Sequence, residues 1–385
     1  TADVALRFRT GPRFRFGDVT FDQDVVESEL LRSFVRFERG EPFNVNELLA
    51  LQSALGDSPY FSRVEVVPRR EAAQDLEVPI DVKLVPRQTQ QYEAGVGYGT
   101  NTGPRGTFEI ELRRLNRVGH RASGEISASL IERRISTQYV IPVGVGKGNV
   151  LALSAGFAIA SATLGRYRGR WQETLSLTFQ LEDFQVGSDS GTAVLLMPGA
   201  SWSRTKADDR LFPSRGSRVR FELNGALSGA GSNASFGRVK ASAKFIRTVL
   251  PRTRLLARID LGGTVTNQLH DLPPSIRFFS GGDQSVRGYA YRSLGPVDAI
   301  ANVIGGRVLA VGGIELDREI ISRFGIATFF DTGNAMDRFE WSLEQSVGGG
   351  VRWLSPVGLV RLDLAFAVSR DGNPLRFHLT VGPDL

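Results

Sequence analysis

From Gln88 to its end the chain alternates apolar and polar residues in short runs, with no helical period between them. Tyr92, Ala94, Val96 and Tyr98 alternate with Gln91, Glu93, Gly95, Gly97 and Gly99, and Phe108, Ile110 and Leu112 with Thr107, Glu109, Glu111 and Arg113. Leu151, Leu153, Ala155, Phe157 and Ile159 make a further stripe, and Leu175, Leu177, Phe179 and Leu181 another. Val219, Phe221 and Leu223 sit among Arg218, Arg220, Glu222 and Asn224. Successive side chains of a strand point to opposite faces, so each run is a strand with one apolar and one polar face.

Sixteen such segments start near residues 90, 106, 121, 135, 149, 172, 192, 217, 235, 253, 274, 306, 320, 342, 357 and 374. That spacing is roughly 18 residues per strand and connection, which suits a tilted membrane strand plus its turn. An even count returns both ends to one side. The fold class expected is therefore membrane all-β: a 16-stranded antiparallel transmembrane β-barrel over residues 88–385. A soluble alternative, two sandwiches or a propeller, has to place many heavily charged strand faces.

Composition is compatible with this. Hydrophobic residues are 41% and charged residues 23%, and no stretch approaches 18 uncharged apolar residues, so no transmembrane helix is expected. A spanning strand needs only about 9–11 residues, half of them apolar, and leaves no such signal. The 43 glycines suit closely packed strands and turns, and the absence of cysteine suits an oxidising compartment. The net charge of +6 raises nucleic acid as a partner, but Lys and Arg are scattered along strands, and none is expected.

The chain starts at Thr1 without a signal peptide, and Ala2, Val4, Leu6 and Phe8 describe a strand with no local partner. A lone strand is unstable. Residues 1–10 are thus expected to be the remnant of a preceding domain in a trimmed chain. Residues 11–86 read as a small α+β module. A strand at Arg13–Phe21 is followed by a helix from about Val25 to Phe34. Asn44 and Glu47 form a capping-box signal for a second helix, with Val45, Leu48, Leu49, Gln52 and Leu55 on one face. Ser58-Pro59 ends it, and strands follow at Arg63–Arg69 and Leu76–Val85.

The order of these elements, with Phe16-Gly17-Asp18-Val19 and Ser58-Pro59-Tyr60-Phe61-Ser62-Arg63-Val64, closely resembles a POTRA domain. Such a module binds by lending a sheet edge to an extended chain.

The longest unpatterned connection, about Gly281 to Ile304, carries Gly281-Gly282-Asp283-Gln284-Ser285-Val286-Arg287-Gly288-Tyr289. No Lys-Ser or Lys-Thr pair and no helix follow it, which sets aside a phosphate loop. Preceded by Phe278-Phe279, the run resembles the sixth-loop signature of the POTRA-plus-barrel assembly superfamily. That resemblance implies a loop folded into the lumen with Arg287 docked on the inner wall. A carboxylate is the physical partner such an arginine needs. The resemblance supplies one in Phe329-Phe330-Asp331-Thr332-Gly333-Asn334, making Asp331 and Gly333 the docking partners. Phe324, Ile326, Thr328 and Phe330 share one strand face, so Asp331 belongs to the other and is expected to point inward.

Two phrases narrow the resemblance. Tyr98-Gly99-Thr100-Asn101-Thr102-Gly103-Pro104-Arg105-Gly106 with Asn116-Arg117-Val118-Gly119-His120-Arg121, and the ending Phe377-His378-Leu379-Thr380-Val381-Gly382-Pro383-Asp384-Leu385, resemble the TamA family, barrel subunits of the translocation and assembly module. Arg210-Leu211-Phe212-Pro213-Ser214-Arg215-Gly216 resembles a loop phrase shared across the superfamily. The resemblance implies a factor in a Gram-negative outer membrane, its POTRA domain in the periplasm, that folds or inserts client membrane proteins such as autotransporters. Implied partners are a TamB-like inner-membrane-anchored subunit, unfolded outer-membrane clients and membrane lipid.

A seam between the first and last barrel strands is expected to open as a lateral gate. Gly95, Gly97 and Gly99 weaken the first strand beside Tyr92 and Tyr98, and Pro374 and Pro383 bracket a short last strand holding Phe377 and Leu379. An exposed edge templates an incoming strand. The competing reading is a two-partner-secretion pore exporting a dedicated soluble substrate. A passive porin gives the loop motif no purpose. No enzyme, metal or cofactor is expected: the three histidines, at 120, 270 and 378, are scattered, no cysteine exists, and no Gly-x-Ser-x-Gly elbow occurs.

Overall fold

A computed structural model of the chain describes residues 12–99, 103–129, 133–143, 149–156, 158–209, 212–338, 340, 342–355, 358–372 and 374–381. The strand expected at Thr1–Arg9 lies outside them, as does Pro383. Two sheets make up the fold.

The first contains β1 (Arg15–Asp22), β2 (Phe61–Pro68) and β3 (Glu77–Pro86) in the order β1-β3-β2, with β1 parallel and β2 antiparallel to β3. Helices α1 (Ser28–Arg32) and α2 (Val45–Gly56) lie between β1 and β2 in sequence. The first helix is shorter than the expected Val25–Phe34. The Gln23 side chain accepts from the N–H of Val25 and Val26, and this local turn occupies residues the helix would otherwise use. Asn44 caps α2 by accepting from the N–H of Asn46 (3.0 Å).

The buried stripe of α2 is Leu48, Leu51, Ala54 and Leu55, whereas Val45 and Leu49 are exposed. The buried stripe is thus rotated from the expected one. Leu48, Leu51 and Leu55 keep the i, i+3, i+7 spacing and close over Phe16, Phe61, Val78 and Ile80. Leu51→Ala is expected to destabilise this module by about 2–5 kcal/mol. Leu49→Ala should stay within about 0.5 kcal/mol. Amide hydrogen exchange across β3 reads the difference.

The second sheet has sixteen antiparallel strands: β4 (Gln90–Gly99), β5 (Gly103–Leu112), β6 (Arg121–Ala128), β7 (Arg133–Pro142), β8 (Val150–Gly156), β9 (Ile159–Arg168), β10 (Trp171–Val186), β11 (Asp189–Ala207), β12 (Arg215–Ala226), β13 (Phe236–Leu250), β14 (Thr253–Thr266), β15 (Val308–Ile321), β16 (Phe324–Met336), β17 (Glu344–Ser355), β18 (Gly358–Ala367) and β19 (Leu375–Val381). Each hydrogen-bonds its sequence neighbours from β4 to β19. Among the described residues these two end strands share no ladder.

The total of sixteen agrees with the sequence reading, but two assignments differ. The stripe Leu151–Ile159 is not one strand: Ala158 adopts a left-handed φ of 62° and turns the chain back between β8 and β9. No strand starts near 274. Pro273 and Pro274 lack the N–H a ladder needs, and the apolar residues around them serve a different purpose. Leu269, Leu272 and Ile276 are buried against Ala193, Leu195, Met197 and Phe236. The connection after β14 therefore spans residues 267–307, longer than the Gly281–Ile304 expected.

The alternation has a direct structural counterpart. On β16, Phe324, Ile326, Thr328 and Phe330 are exposed while Gly325, Ala327, Phe329 and Asp331 are buried. Leu175, Leu177, Phe179 and Leu181 on β10 are exposed in the same way. The apolar stripe is the outward, lipid-facing one. Among the described residues no helix is long and apolar enough to cross a membrane.

Candidate functional site

The tip of loop 267–307 packs on the inner face of the β14–β19 wall, while its first leg lies against β11 and β13. Gly281 and Gly282 turn it with φ values of 94° and 106°, where a side chain would be strained. Gly288 lies so close to the wall that a Cβ would meet the Ala367 Cα at 2.8 Å and the Ser346 Cβ at 2.7 Å. Val286, Tyr289 and Leu294 are buried with Ala367. The Tyr289 hydroxyl donates to Glu344 and lies 3.0 Å from that of Ser369.

These contacts set Arg287 against the wall. Its Nε donates to Asp331 Oδ2 (2.7 Å) and its Nη2 to Oδ1 (3.0 Å), a two-point pairing that fixes the guanidinium plane. Its backbone N–H also reaches Oδ2 (3.3 Å). Nη1 donates to Glu315 (2.8 Å) and to Asp363 (3.3 Å). The Phe329 ring lies under the guanidinium, 3.3 Å from Cζ to the centroid. Phe329 and Asp331 are two residues apart on β16, so one short motif supplies both the ring and the carboxylate.

Four further charges complete the cluster, none of them singled out from the sequence. Arg258 of β14 donates to Asp331 Oδ1 (2.9 Å) and to the Ser285 carbonyl. Arg352 of β17 donates to Glu315 (2.7 Å) and to Asp363 (2.6 Å). Three guanidiniums thus face three carboxylates, with Asp331 fully buried at 0% exposure. Buried charges are tolerable only when so paired and hydrogen-bonded. Gly313 makes room for it, since a Cβ there would meet Asp331 Oδ1 at 2.6 Å. Gly333 serves the same wall, its backbone against Val311 of β15. Asp283 lines a small cavity beside the cluster with Gln284, Lys244 and Arg361.

The loop is anchored again nearer its start. Arg277 donates to Asp189 of β11 (2.7 Å) and to the carbonyls of Leu272 (2.7 Å), Ile304 (2.9 Å) and His270 (3.0 Å). Both legs of the loop are thereby tied to one side chain.

The last strand also touches the loop tip. His378 of β19 lies 2.6 Å from the Arg287 carbonyl through Nε2. A carbonyl only accepts, so Nε2 carries the proton. His378→Phe keeps an aromatic ring and removes this donor. A hydrogen bond contributes about 0.5–1.5 kcal/mol net, so amides of residues 375–381 should exchange roughly two- to thirteenfold faster. Hydrogen-exchange mass spectrometry in detergent measures this.

Of the expected gate residues, Gly95, Gly97, Tyr98 and Gly99 lie on β4, and Tyr92 near its start is exposed. Phe377 and Leu379 lie on β19 with outward-facing register partners, Leu364 and Leu362 on β18. A strand of 7 residues ends a sheet whose β10 and β11 have 16 and 19.

A sixteen-stranded sheet with a lipid-facing outer stripe, a loop locked to its inner wall and an α+β module before it define an outer-membrane β-barrel with a periplasmic POTRA domain. The Omp85 superfamily domain matches residues 115–384, and the POTRA family described as surface antigen variable number repeat matches residues 14–87. The chain belongs to the Omp85 superfamily.

Among curated relatives, the outer membrane protein assembly factor BamA of Nitratidesulfovibrio vulgaris is 26% identical over 400 residues, covering 94% of this chain and 50% of that protein. BamA of Neorickettsia risticii is 25% identical over 197 residues, 48% of this chain and 26% of that one. The chain thus spans half the length of the first relative or less of the second. In fold it resembles the crystal structure of Haemophilus ducreyi BamA lacking POTRA domains 1–3, with a TM-score of 0.76, 19% identity, and 97% and 85% of the two chains covered. CdiB from Acinetobacter baumannii is similar at a TM-score of 0.67, 13% identity, and 96% and 74% coverage. The narrower resemblance to the TamA family is not what these matches carry: the curated relatives they name are BamA proteins.

Proposed function

We propose that the chain is an assembly factor that folds or inserts client outer-membrane proteins, autotransporters among them. On this reading β4 and β19 part as a lateral gate, loop 267–307 sits beside the opening, and no covalent chemistry is involved. The observation that carries the reading is the bond from His378 to the Arg287 carbonyl, which ties the internal loop to a gate strand. Two further points support it. The curated relatives are named outer membrane protein assembly factors, and a POTRA sheet whose edge strands β1 and β2 pair with no further strand among the described residues suits an extended client.

Within this function we place the chain on the TamA branch, from its first-hairpin and C-terminal phrases, with a TamB-like inner-membrane-anchored subunit as its partner. Residues 11–86 would be the periplasmic module and 88–385 the barrel. The test is reconstitution of the chain in liposomes with a urea-unfolded outer-membrane client. Heat-modifiable, protease-resistant client should accumulate severalfold faster than in empty liposomes. Equal rates, or passage of a soluble substrate with no effect on client folding, overturn the assembly reading in favour of a secretion pore. Co-purification of the subunit from envelope extracts separately tests the TamA branch.

A further inference from the structure

The registers from β9 to β19 fix which side chains face lipid, and the charges on that face are unevenly placed. Leu175 on β10, Phe221 on β12, Phe245 on β13, Ile314 on β15 and Phe330 on β16 all belong to the outward phase. Arg166, Arg168, Arg204, Lys206, Arg215, Arg247 and Arg318 share it. Each lies within four residues of a turn on the side where β4 begins, the periplasmic side. The acids of the same phase, among the described residues of β9–β19, are Glu173 and Asp183. Glu173 is occupied by Arg166 (2.6 Å) and Arg168 (2.8 Å), and Asp183 sits near the far end of β10.

Arg215 and Arg247 are direct register partners across β12 and β13. Directly opposite residues place their Cβ atoms about 4.5–5.5 Å apart, where like charges repel. Lys206 on β11 pairs with Ser217, one outward step from Arg215, so three cations converge at this rim. No acidic partner for their side-chain charges is recorded among the described residues. The neighbouring Asp208 accepts from the Ser214 hydroxyl and from the N–H of Asp209, Ser214 and Arg215, so it stays ionised and offsets one of the three cations, leaving the rim net positive. These bonds, the hydroxyl first, hold its carboxyl down at about 2. Phe245, paired with Ser217, stands one outward step further into the apolar band, and Trp202 pairs with Phe221 beyond it. Cations below aromatics match the order of headgroup and acyl chain at a membrane interface.

We propose that Lys206, Arg215 and Arg247 form a binding site for the headgroup phosphate of an anionic phospholipid in the periplasmic leaflet, whose acyl chains lie along Phe245 and Phe221. The phosphate relieves the Arg215–Arg247 repulsion, and the aromatic side chains add the apolar contact that a free anion lacks.

The test is native mass spectrometry of the full chain in neutral detergent with phosphatidylglycerol, phosphatidylcholine or inorganic phosphate. The wild type should retain phosphatidylglycerol over phosphatidylcholine, less so at high salt. At about fivefold per basic group, the triple variant Lys206→Gln/Arg215→Gln/Arg247→Gln should bind it about a hundredfold more weakly. Arg215→Lys/Arg247→Lys, which keeps the charge, should retain most of the binding. Equal retention of both lipids by the wild type overturns the proposal, and that comparison needs no variant to fold. So does unchanged binding by a heat-modifiable triple variant, or displacement of the lipid by equimolar inorganic phosphate.

Discussion

Exchanging Asp331 for arginine is expected to unseat the loop tip and abolish assembly activity, while the barrel still inserts. The substitution replaces three guanidiniums against three carboxylates by four against two, with Arg258 and Arg287 left facing a like charge. Removing one partner of a buried pair costs about 3–5 kcal/mol, and reversal costs more. Arg258 and Arg287 both depended on Asp331, and the loop can escape the repulsion by leaving the wall. The ladders cannot escape so simply, and most of them lie far from β16.

Arg287→Ala is expected to be milder for the wall and as severe for the loop. Asp331 keeps Arg258, and Glu315 and Asp363 keep Arg352, so no carboxylate is stranded. The loop nevertheless loses its two-point pairing and its stacking on Phe329. Combining Arg287→Ala with Asp331→Ala should cost less than the sum of the two, by about 0.5–3 kcal/mol, because both remove one interaction. Proteolysis within residues 281–306 reports the loop in purified protein. Complementation of a depleted strain reports activity, and full activity from both Asp331→Arg and Arg287→Ala sinks the role given to this lock.

The face on which each of these charges stands is legible in the residues alone, because strand geometry leaves few choices. The docking of Arg287 on Asp331, by contrast, is implied by the family resemblance. The apolar stripe Phe324, Ile326, Thr328, Phe330 assigns Asp331 to the inner face by parity alone. Parity contains Glu315 and Asp363 too, between Ile314 and Leu316 and between Leu362 and Leu364, as well as Arg352 between Val351 and Trp353. What parity lacks is height. Strands in a barrel are tilted and staggered, so residues at one level are offset strand by strand through a register that the sequence does not state. Only once Gly313 is set opposite Asp331, and Gly350 opposite Asp363, do these charges meet at one level.

The misread segments have local causes of the same kind. The hairpin at Ala158 is too tight to interrupt an apolar alternation, so β8 and β9 read as one stripe. Ile276 and Phe278 alternate like a strand but are buried by loop packing. In α2, neighbouring Leu48, Leu49 and Leu51 offer two stripes of similar apolarity, and only the position of the sheet decides between them.

A disulfide joining β4 to β19 is expected to abolish assembly activity, and reduction to restore it. Among the described residues β19 has 7 residues in a sheet whose strands reach 19, and its ladder to β18 runs only from Val360–Val381 to Phe366–Leu375. On the other side of the seam, Gly95, Gly97 and Gly99 contribute no side chains to packing. Few interactions therefore oppose separation, and each edge then offers unpaired N–H and C=O groups to an incoming strand. The crosslink removes that option while leaving the Arg287 cluster intact. Cysteine pairs combining Tyr92 or Ala94 with Phe377 or Leu379, all on the outward stripe, sample successive registers, and gel mobility identifies those that close. In a locked pair, client folding in liposomes should fall to the rate of empty liposomes and recover with reductant. Undiminished folding by a fully crosslinked protein rules out the seam as the route. If the gate is correct, His378→Phe on the unlocked background should loosen β19 without affecting the locked one, because the crosslink then bears what the Arg287 carbonyl bond had held.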